Sequence, residues 1–298
     1  MTTEKTIRFI KGYPKFAYLM SNDAVCFMMH MTDIEFLRKC NYSTNWPKKE
    51  YASRMNMDIM KFNRCTCELK ALGLLDVTKS VNGRYATYTI NRVAYQKLLK
   101  VCAATINYKR IKSFLKEIKA KGRLIQDVSD YEISALKGFS KEYYTEAPYV
   151  KVYPGFSYLL TPDEICLLMH ISEIEHLVKY HICSCSFRIR QDWLDKTDMT
   201  EDVFDKAVKK MIQISLIWET PKDDTLIIYK QSIRGYRNLV SVCGATINYN
   251  ALKDYFDWLV IKRNRSLWSV KKEDLKALEE YGKHYGRMRS PFLDLPNK

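Results

Sequence analysis

The chain lacks long apolar runs, and none of its hydrophobic stretches approaches the roughly 18 residues that a transmembrane helix needs. Its first residues, MTTEKTIRFIKGYPKF, also lack the apolar core of a signal peptide. These absences predict a cytoplasmic protein with no membrane partner. With 47% hydrophobic and 28% charged residues, the composition is that of a globular protein, and 298 residues are enough for two domains.

The sequence also lacks the motifs that would indicate an enzyme. It contains no Gly-rich phosphate loop, nucleophile elbow, kinase-like set of motifs or pair of histidines at metal-binding spacing. Metal-ligand types do occur at Cys65-x-Cys67 and His181-x-Cys183-x-Cys185, but no second pair stands at zinc-finger spacing. The 9 cysteines are odd in number and scattered, which favours reduced thiols. We therefore expect no enzymatic activity, no bound metal and no cofactor.

Acidic residues are scarce relative to basic ones, and the formal net charge is +15. The basic excess is unevenly placed. Residues 1–148 hold 26 Lys and Arg against 14 Asp and Glu, whereas residues 149–298 hold 23 against 20. The attraction for a polyanion is therefore concentrated in the first half of the chain. This location favours a nucleic-acid partner over a role of the charge in solubility alone.

The chain is an internal duplication, in which a first copy and a second copy match at offsets of 140 to 142 residues. Residues 13–19, YPKFAYL, recur at 153–159 as YPGFSYL, and residues 101–108, VCAATINY, recur at 242–249 as VCGATINY. A period this long indicates two copies of a domain and not a solenoid. We predict a first domain over residues 1–126, a helical linker over 127–150, a second domain over 151–265 and a C-terminal helical tail over 266–298.

The stretch from Tyr51 to Leu75 in the first copy predicts a helix, a turn and a second helix. Asp58 is a good N-cap for the second helix, and Gly73 suits its C-terminal end because glycine tolerates a positive φ. Between them, one apolar face recurs at helical spacing, formed by Phe62, Cys65, Leu69 and Leu72.

The following residues, 74–90, predict two strands joined by Asn82-Gly83, a strong signal for a tight hairpin. Helix, turn, helix and hairpin together indicate a winged helix. The predicted fold is therefore mainly α with small β-hairpin wings, arranged as two tandem winged-helix repeats. Each copy also predicts a central apolar helix, near residues 23–40 in the first, and an amphipathic helix, near residues 107–120.

The second helix of the first copy carries a basic, amide-bearing face, which is suited to the major groove of DNA. Lys61 and Arg64 are candidates for guanine edges and Asn63 for adenine. Lys48, Lys49 and Arg54 are placed at the start of the preceding helix, where contacts to the DNA backbone usually occur. Lys79 and Arg84 flank the tip of the wing. The DNA-binding candidates are thus Lys48, Lys49, Arg54, Met60, Lys61, Asn63, Arg64, Lys79 and Arg84.

The second copy keeps the core of this helix but changes its outer face. Phe204 replaces Phe62, yet Glu201, Asp202 and Asp205 occupy the turns that would approach phosphates. Its wing carries Lys222-Asp223-Asp224 where the first copy has Asn82-Gly83-Arg84. We expect this copy either to use another basic surface, around Arg188, Arg190, Arg234 and Arg237, or to face a protein. The secondary DNA-binding candidates are Lys109, Arg110, Lys112, Arg188, Arg190 and Lys206.

The run Trp46-Pro47…Tyr51-Ala52…Met57-Asp58…Phe62…Arg64…Leu69-Lys70-Ala71-Leu72-Gly73-Leu74-Leu75 resembles the helix-turn-helix domains of plasmid and phage replication proteins. Two winged helices in tandem are also similar to plasmid initiators that bind repeated origin sites. The resemblance implies sequence-specific binding of double-stranded DNA, in replication initiation or its control on a plasmid, phage or other mobile element. The alternatives are a transcription regulator and, from another class, a non-enzymatic scaffold that holds replication or transcription proteins.

Overall fold

The computed structural model of the chain describes residues 9–40, 46–79, 86–137, 147–179, 188–221, 226–288 and 290–292. The protein is mainly helical, with 67% helix and 11% strand, and its sheets are small. It divides into two compact units. The first unit contains residues 10–151 and 196–198, and the second contains the other described residues. Of the helices within these ranges, none combines the length and the apolar character needed to cross a membrane.

The first unit is organised around α1 (Asn22–Lys39), in which residues 24–31 are all buried, in agreement with the prediction of a central helix. Its other elements follow in chain order around two 3-10 turns, Pro14–Tyr18 and Ile125–Asp127. They are β1 (Ile10–Gly12), α2 (Lys48–Arg54), α3 (Ile59–Ala71), β2 (Leu75–Lys79), β3 (Ala86–Ile90), α4 (Arg92–Ala103), α5 (Tyr108–Ala120), α6 (Asp130–Lys137) and β4 (Val150–Val152), which pairs with β1.

An aromatic cluster joins α2, α3 and β3 to α1. The ring of Phe62 lies 5.1 Å from that of Phe27 on α1 and 5.2 Å from that of Tyr88 on β3, and Tyr88 lies 5.1 Å from Tyr51 on α2. Burial of four large rings supplies several kcal/mol of apolar stabilisation, at roughly 25 cal/mol per Å². The cluster therefore fixes the orientation of α3 relative to the rest of the unit.

The two strands expected over residues 74–90 are present as an antiparallel hairpin, with Leu75 opposite Ile90. Their connection, which includes Asn82-Gly83, lies outside the described residues. Side chains of α1 cover the outer edge of β3. The Glu35 carboxylate accepts from the Ile90 N–H at 2.8 Å, and the Arg38 guanidinium donates to the Tyr88 carbonyl at 2.7 Å. The hairpin is thus held to the same helix that supports α3.

The second unit repeats the order of helices and strands that runs from α1 to α6 in the first, with one additional strand that the sequence did not predict. This strand, β5, pairs with the hairpin to give the sheet order β5-β7-β6. A π-helical turn, Asp257–Lys262, and two 3-10 turns, Pro154–Tyr158 and Leu267–Ser269, complete the unit. Its elements are α7 (Pro162–Lys179), β5 (Arg188–Ile189), α8 (Arg190–Thr197), α9 (Glu201–Gln213), β6 (Ile217–Pro221), β7 (Leu226–Gln231), α10 (Ile233–Ala245), α11 (Tyr249–Phe256) and α12 (Lys272–Lys283).

The second unit also repeats the packing of the first. Trp193 takes the place of Tyr51, and its ring lies 5.0 Å from that of Tyr229. The Glu175 carboxylate accepts from the Gln231 N–H at 2.8 Å, as Glu35 does from Ile90. Burial raises the pKa of Glu175 above its usual range. Equivalent contacts at equivalent positions show that the duplicated sequence specifies the same local geometry twice.

Candidate nucleic-acid interface

Helix α3 begins at the N-cap predicted for it. The Asp58 carboxylate accepts from the backbone N–H groups of Met60 and Lys61, both at 2.8 Å. The bond from the Lys61 N–H, followed by that from Met60, lowers the pKa of Asp58 despite the opposing effect of desolvation. The helix ends at Leu72 before Gly73, whose φ of 70° is the left-handed conformation expected there.

The apolar face of α3 is buried as predicted, through Phe62, Cys65 and Leu69. Burial raises the pKa of Cys65 to about 12, so its thiol stays protonated. Cys67 is exposed on another side of the helix. The two cysteines therefore do not converge on one point.

The outer face of α3 carries most of the residues proposed to read DNA. Met60 is 75% exposed, Arg64 is exposed and Asn63 is half-buried. Residues three and four apart lie on the same side of a helix, so these three side chains form one stripe. Lys70, at the last turn of α3, is exposed as well.

Lys61 differs from Arg64 because an acidic residue engages it. Its Nζ lies 3.5 Å from the Asp23 carboxylate on α1, and its side chain is 41% exposed. Such a partly exposed pair contributes about 1 kcal/mol or less. A phosphate could replace Asp23 at little cost, but the Lys61 charge is partly offset in the free protein.

The two ends of α2 carry different kinds of basic residue. Lys48 and Lys49 are exposed in its first turn. The placement of Arg54 at the start of this helix was wrong, since Arg54 is its last residue. The Arg54 Nε donates to the Glu50 carboxylate at 2.8 Å, and its guanidinium lies 4.0 Å from the centre of the Trp46 ring. Arg54 therefore stabilises α2 locally, whereas the two lysines face solvent.

The candidates near the connection between β2 and β3 are only partly described. Lys79 ends β2, but its side chain lies outside the described part of the structure, and so does all of Arg84. The same holds for the side chain of Arg188 in β5. Their roles remain predictions from the sequence.

The basic side chains of α5 differ in exposure and in their pairing with carboxylates. Lys109 and Arg110 are exposed. Lys112 and Lys116 each place Nζ 2.9 Å from the carboxylate of Asp198, a residue of the same compact unit. Lys119 lies 3.0 Å from Glu68. Much of this charge is therefore compensated within the protein, which weakens its value for phosphate binding.

The equivalent surface of the second unit is internally neutralised. The Arg190 guanidinium donates to the Asp205 carboxylate at 2.7 Å and lies 3.8 Å from Glu201. This hydrogen bond raises the pKa of Arg190 and lowers the pKa of Asp205. Lys206 is exposed on the same helix. Arg190 is thus committed to carboxylates of α9, a pairing that the sequence spacing did not reveal.

The balance of charge over the matching segments differs between the copies. Residues 46–79 contain seven basic and four acidic side chains, whereas residues 188–221 contain six basic and seven acidic ones. Helix, turn and helix are built alike in both segments. Only the first of them has a net attraction for a polyanion.

Neither histidines nor cysteines gather into a metal site within the described ranges. No group of three or more His, Cys, Asp or Glu side chains there is placed to hold a metal ion. His30 and His170 lie buried at matching positions of α1 and α7, and burial lowers the pKa of His30 to about 4. The run His181-x-Cys183-x-Cys185 lies outside the described residues.

Comparisons with protein-family models, with curated proteins and with solved structures give no match to this chain.

Proposed function

We propose that the chain binds double-stranded DNA and that the first unit reads it. In this proposal α2, α3 and the β2–β3 hairpin act as a winged helix, with α3 in the major groove and the hairpin against the backbone or minor groove. The second unit is a variant of the same winged helix with a changed surface. No enzymatic activity is part of the proposal, and we place its action in the cytoplasm.

The stripe of Met60, Asn63 and Arg64 supports α3 as the reading helix. A helix fits the major groove, where Arg pairs with guanine and Asn with adenine. The aromatic cluster around Phe62 holds the helix in place, so its backbone does not have to be ordered on binding. Lys48 and Lys49 extend from the neighbouring helix to positions suited to phosphates.

The main support for the proposal is the difference in surface charge between the two copies. The same backbone arrangement presents exposed Arg64, Lys48 and Lys49 in one unit and the Arg190–Asp205–Glu201 cluster in the other. A charge that served solubility alone would not be concentrated on the helix pair of one copy. We therefore assign duplex reading to the first unit.

The biological setting rests on the resemblance of residues 46–75 to plasmid and phage replication proteins. We propose replication initiation, or its control, on a mobile element, with transcription regulation as the alternative use of the same surface. The neutralised face of α9 also supports a second candidate, in which the second unit holds a replication or transcription protein instead of DNA.

The test is binding of the full-length protein to random duplex DNA by fluorescence anisotropy at several salt concentrations. We expect roughly micromolar affinity at low salt, falling steeply as salt rises. Arg64→Ala should weaken binding several-fold, whereas Lys206→Ala, the matching change on α9, should have little effect.

Selection of bound sequences from a random duplex library would then test base reading, because a phosphate contact carries no sequence information. An absence of duplex binding at low salt would overturn the proposal. Equal loss with Arg64→Ala and Lys206→Ala would move the reading surface away from α3.

A further inference from the structure

Two tryptophans form an exposed aromatic corner on the second unit. Trp218 on β6 and Trp268 in the 3-10 turn Leu267–Ser269 lie with ring centres 4.9 Å apart, at an angle of 74°. Trp218 is 46% exposed, and Trp268 is half-buried. The Trp268 Nε1 donates to the Ser232 hydroxyl at 2.9 Å, which orients the ring. An indole left this open to solvent is unusual and is typical of binding surfaces.

The fold does not require tryptophan at these positions. In the first unit the matching residues are Asp76 and Gln126, and the backbone follows the same path. The Ile125 N–H donates to the Leu72 carbonyl there, as the Leu267 N–H donates to the Ile214 carbonyl in the second unit.

With the smaller residues, the first unit has an open groove of about 410 Å³ at this place. The groove is lined by Asp76 and Gln126 among others. The aromatic corner is therefore an addition to the surface of the second unit and not part of its framework.

Three basic side chains border the aromatic corner. Lys230 stands directly across the hairpin from Trp218, and the Arg234 guanidinium lies 5.5 Å from the centre of the Trp268 ring. Arg237 is exposed one helical turn farther along α10.

The first copy has uncharged residues, Thr89, Val93 and Gln96, at the three matching positions. Within the described part of the chain, none of the three cations forms an ion pair. Cations and indoles therefore occur together on this face of the second unit and are absent from the matching positions of the first.

We propose that this face, the tryptophan patch of Trp218, Trp268, Lys230, Arg234 and Arg237, binds single-stranded nucleic acid. Unpaired bases stack on exposed indoles, and the Lys and Arg side chains beside the indoles attract the phosphates between the bases. A duplex cannot use the indoles in this way, because its bases are already stacked on each other. The site is separate from α3 and its ligand differs from that of the proposed duplex reader.

The test is binding of the full-length protein to a fluorescein-labelled oligothymidylate of about 12 nucleotides. Anisotropy at several salt concentrations gives the affinity, and the intrinsic tryptophan emission gives a second readout. We expect roughly micromolar binding and quenching of the emission, since Trp193 and Trp258 are buried and Trp218 is exposed; Trp46 in the first unit is half-buried, so the part of the quenching that Trp218→Ala removes is the part assigned to the patch.

The variants remove the indoles and the positive charges of the patch, and Trp268→Gln introduces the residue that the first copy has at the same position. Trp268→Gln and Trp218→Ala should each weaken oligothymidylate binding by about tenfold, whereas Trp218→Phe should retain most of it. Lys230→Gln with Arg234→Gln should lower the slope of log affinity against log salt by about 1 to 1.5. Ile247→Ala, at a fully exposed apolar residue of the same unit, serves as the unaffected control.

Measuring the binding of both ligands to each variant distinguishes the duplex site from the single-strand site. Arg64→Ala should weaken duplex binding and leave oligothymidylate binding unchanged. Trp218→Ala should weaken oligothymidylate binding and leave duplex binding unchanged. Oligothymidylate affinity and quenching that survive in a folded Trp218→Ala variant would overturn the proposal. So would a wild-type protein that binds no oligothymidylate at low salt, and the patch would then be assigned to a protein partner.

Discussion

Gly73 and Ser215 end α3 and α9 in the same left-handed backbone conformation, with φ values of 70° and 57°. For a residue with a Cβ this conformation costs roughly 1–2 kcal/mol, whereas glycine adopts it freely. A Cβ added at Gly73 would lie 3.4 Å from the Leu124 Cβ, which is an ordinary contact, so the cost arises from the backbone. The second unit therefore carries a strained residue where the first has none.

Exchanging the two residues should change stability in opposite directions. Gly73→Ser should lower the free energy of unfolding by about 1 kcal/mol. Ser215→Gly should raise it by up to about 1 kcal/mol, because the relief of strain exceeds the added freedom of the unfolded chain. Urea unfolding followed by circular dichroism measures both, and the same sign for the two variants would contradict this account.

Buried His30 makes stability depend on pH. Burial lowers the pKa of His30 from 6.5 to about 4, so the folded protein keeps the imidazole neutral while the unfolded chain takes up a proton. The stabilisation is fully present above about pH 6.5 and is lost as the pH falls toward 4. The loss amounts to at most about 3 kcal/mol over this window.

We expect His30→Leu to flatten the dependence of the unfolding free energy on pH between 6.5 and 4. Met60→Leu, at an exposed residue without an ionisable side chain, is the control and should leave the slope unchanged. Urea unfolding at several pH values measures the unfolding free energy of each variant and so gives both slopes. The contribution of Glu132, whose pKa is lowered from 4.5 to about 2 mainly by its hydrogen bond from Arg123, is lost as the pH falls from about 4.5 toward 2 and so overlaps only the lower end of this window.

At the scale of elements, α3 and α9 are the same helix with opposite surface electrostatics. Both bury an aromatic residue at the same place, Phe62 and Phe204. Only α9 carries a carboxylate, that of Asp205, which forms an ion pair with the basic residue at the start of the preceding helix. A single neutral substitution should therefore convert α9 toward a phosphate-binding surface.

Asp205→Asn should release Arg190 and strengthen duplex DNA binding in an Arg64→Ala background. The gain should be a few-fold at low salt, with a small change in stability because the ion pair is largely exposed. Asp202→Asn removes the same charge from the same helix without touching Arg190. An equal gain from Asp202→Asn would show that net charge, and not the release of Arg190, is responsible.

Features of elements that depend on neighbouring residues could be predicted from the sequence. The Asp58 cap, the apolar face of α3, the turn at Gly73 and the two strands of the hairpin follow from local propensity and periodicity. The pairs Lys61–Asp23 and Arg190–Asp205 could not be predicted, because their partners are brought together by tertiary packing. The position of Arg54 was misjudged because α2 is only 7 residues long, about two turns, and ends earlier than expected.

The tryptophan patch is visible in the sequence as a difference between the two copies. Aligning the copies places Trp218 and Trp268 opposite Asp76 and Gln126, a change from polar to aromatic at two positions. Their closeness could not be deduced, since 50 residues separate them and the link runs through the turn after α11. Comparison of the copies therefore indicates which residues changed, and the fold shows that the changes meet.

At the scale of the whole molecule, the uneven charge predicts how salt affects duplex binding. Lys48→Ala with Lys49→Ala removes two exposed charges from α2 and should lower the slope of log affinity against log salt by about 2. Lys206→Ala with Lys209→Ala removes two exposed lysines from α9 and should leave the slope nearly unchanged. Anisotropy titrations over a range of salt measure both, and equal slopes for the two variants would place DNA on both units.

The hydrogen bonds between α1 and the hairpin of the first unit limit how this hairpin can pair with the same hairpin of another molecule. Glu35 and Arg38 occupy the backbone groups along the outer edge of β3, while β2 has no strand partner on its other side among the described residues. A sheet with one closed edge can join a second such sheet only through its remaining edge. Edge-to-edge association through this hairpin alone would therefore stop at a pair of molecules.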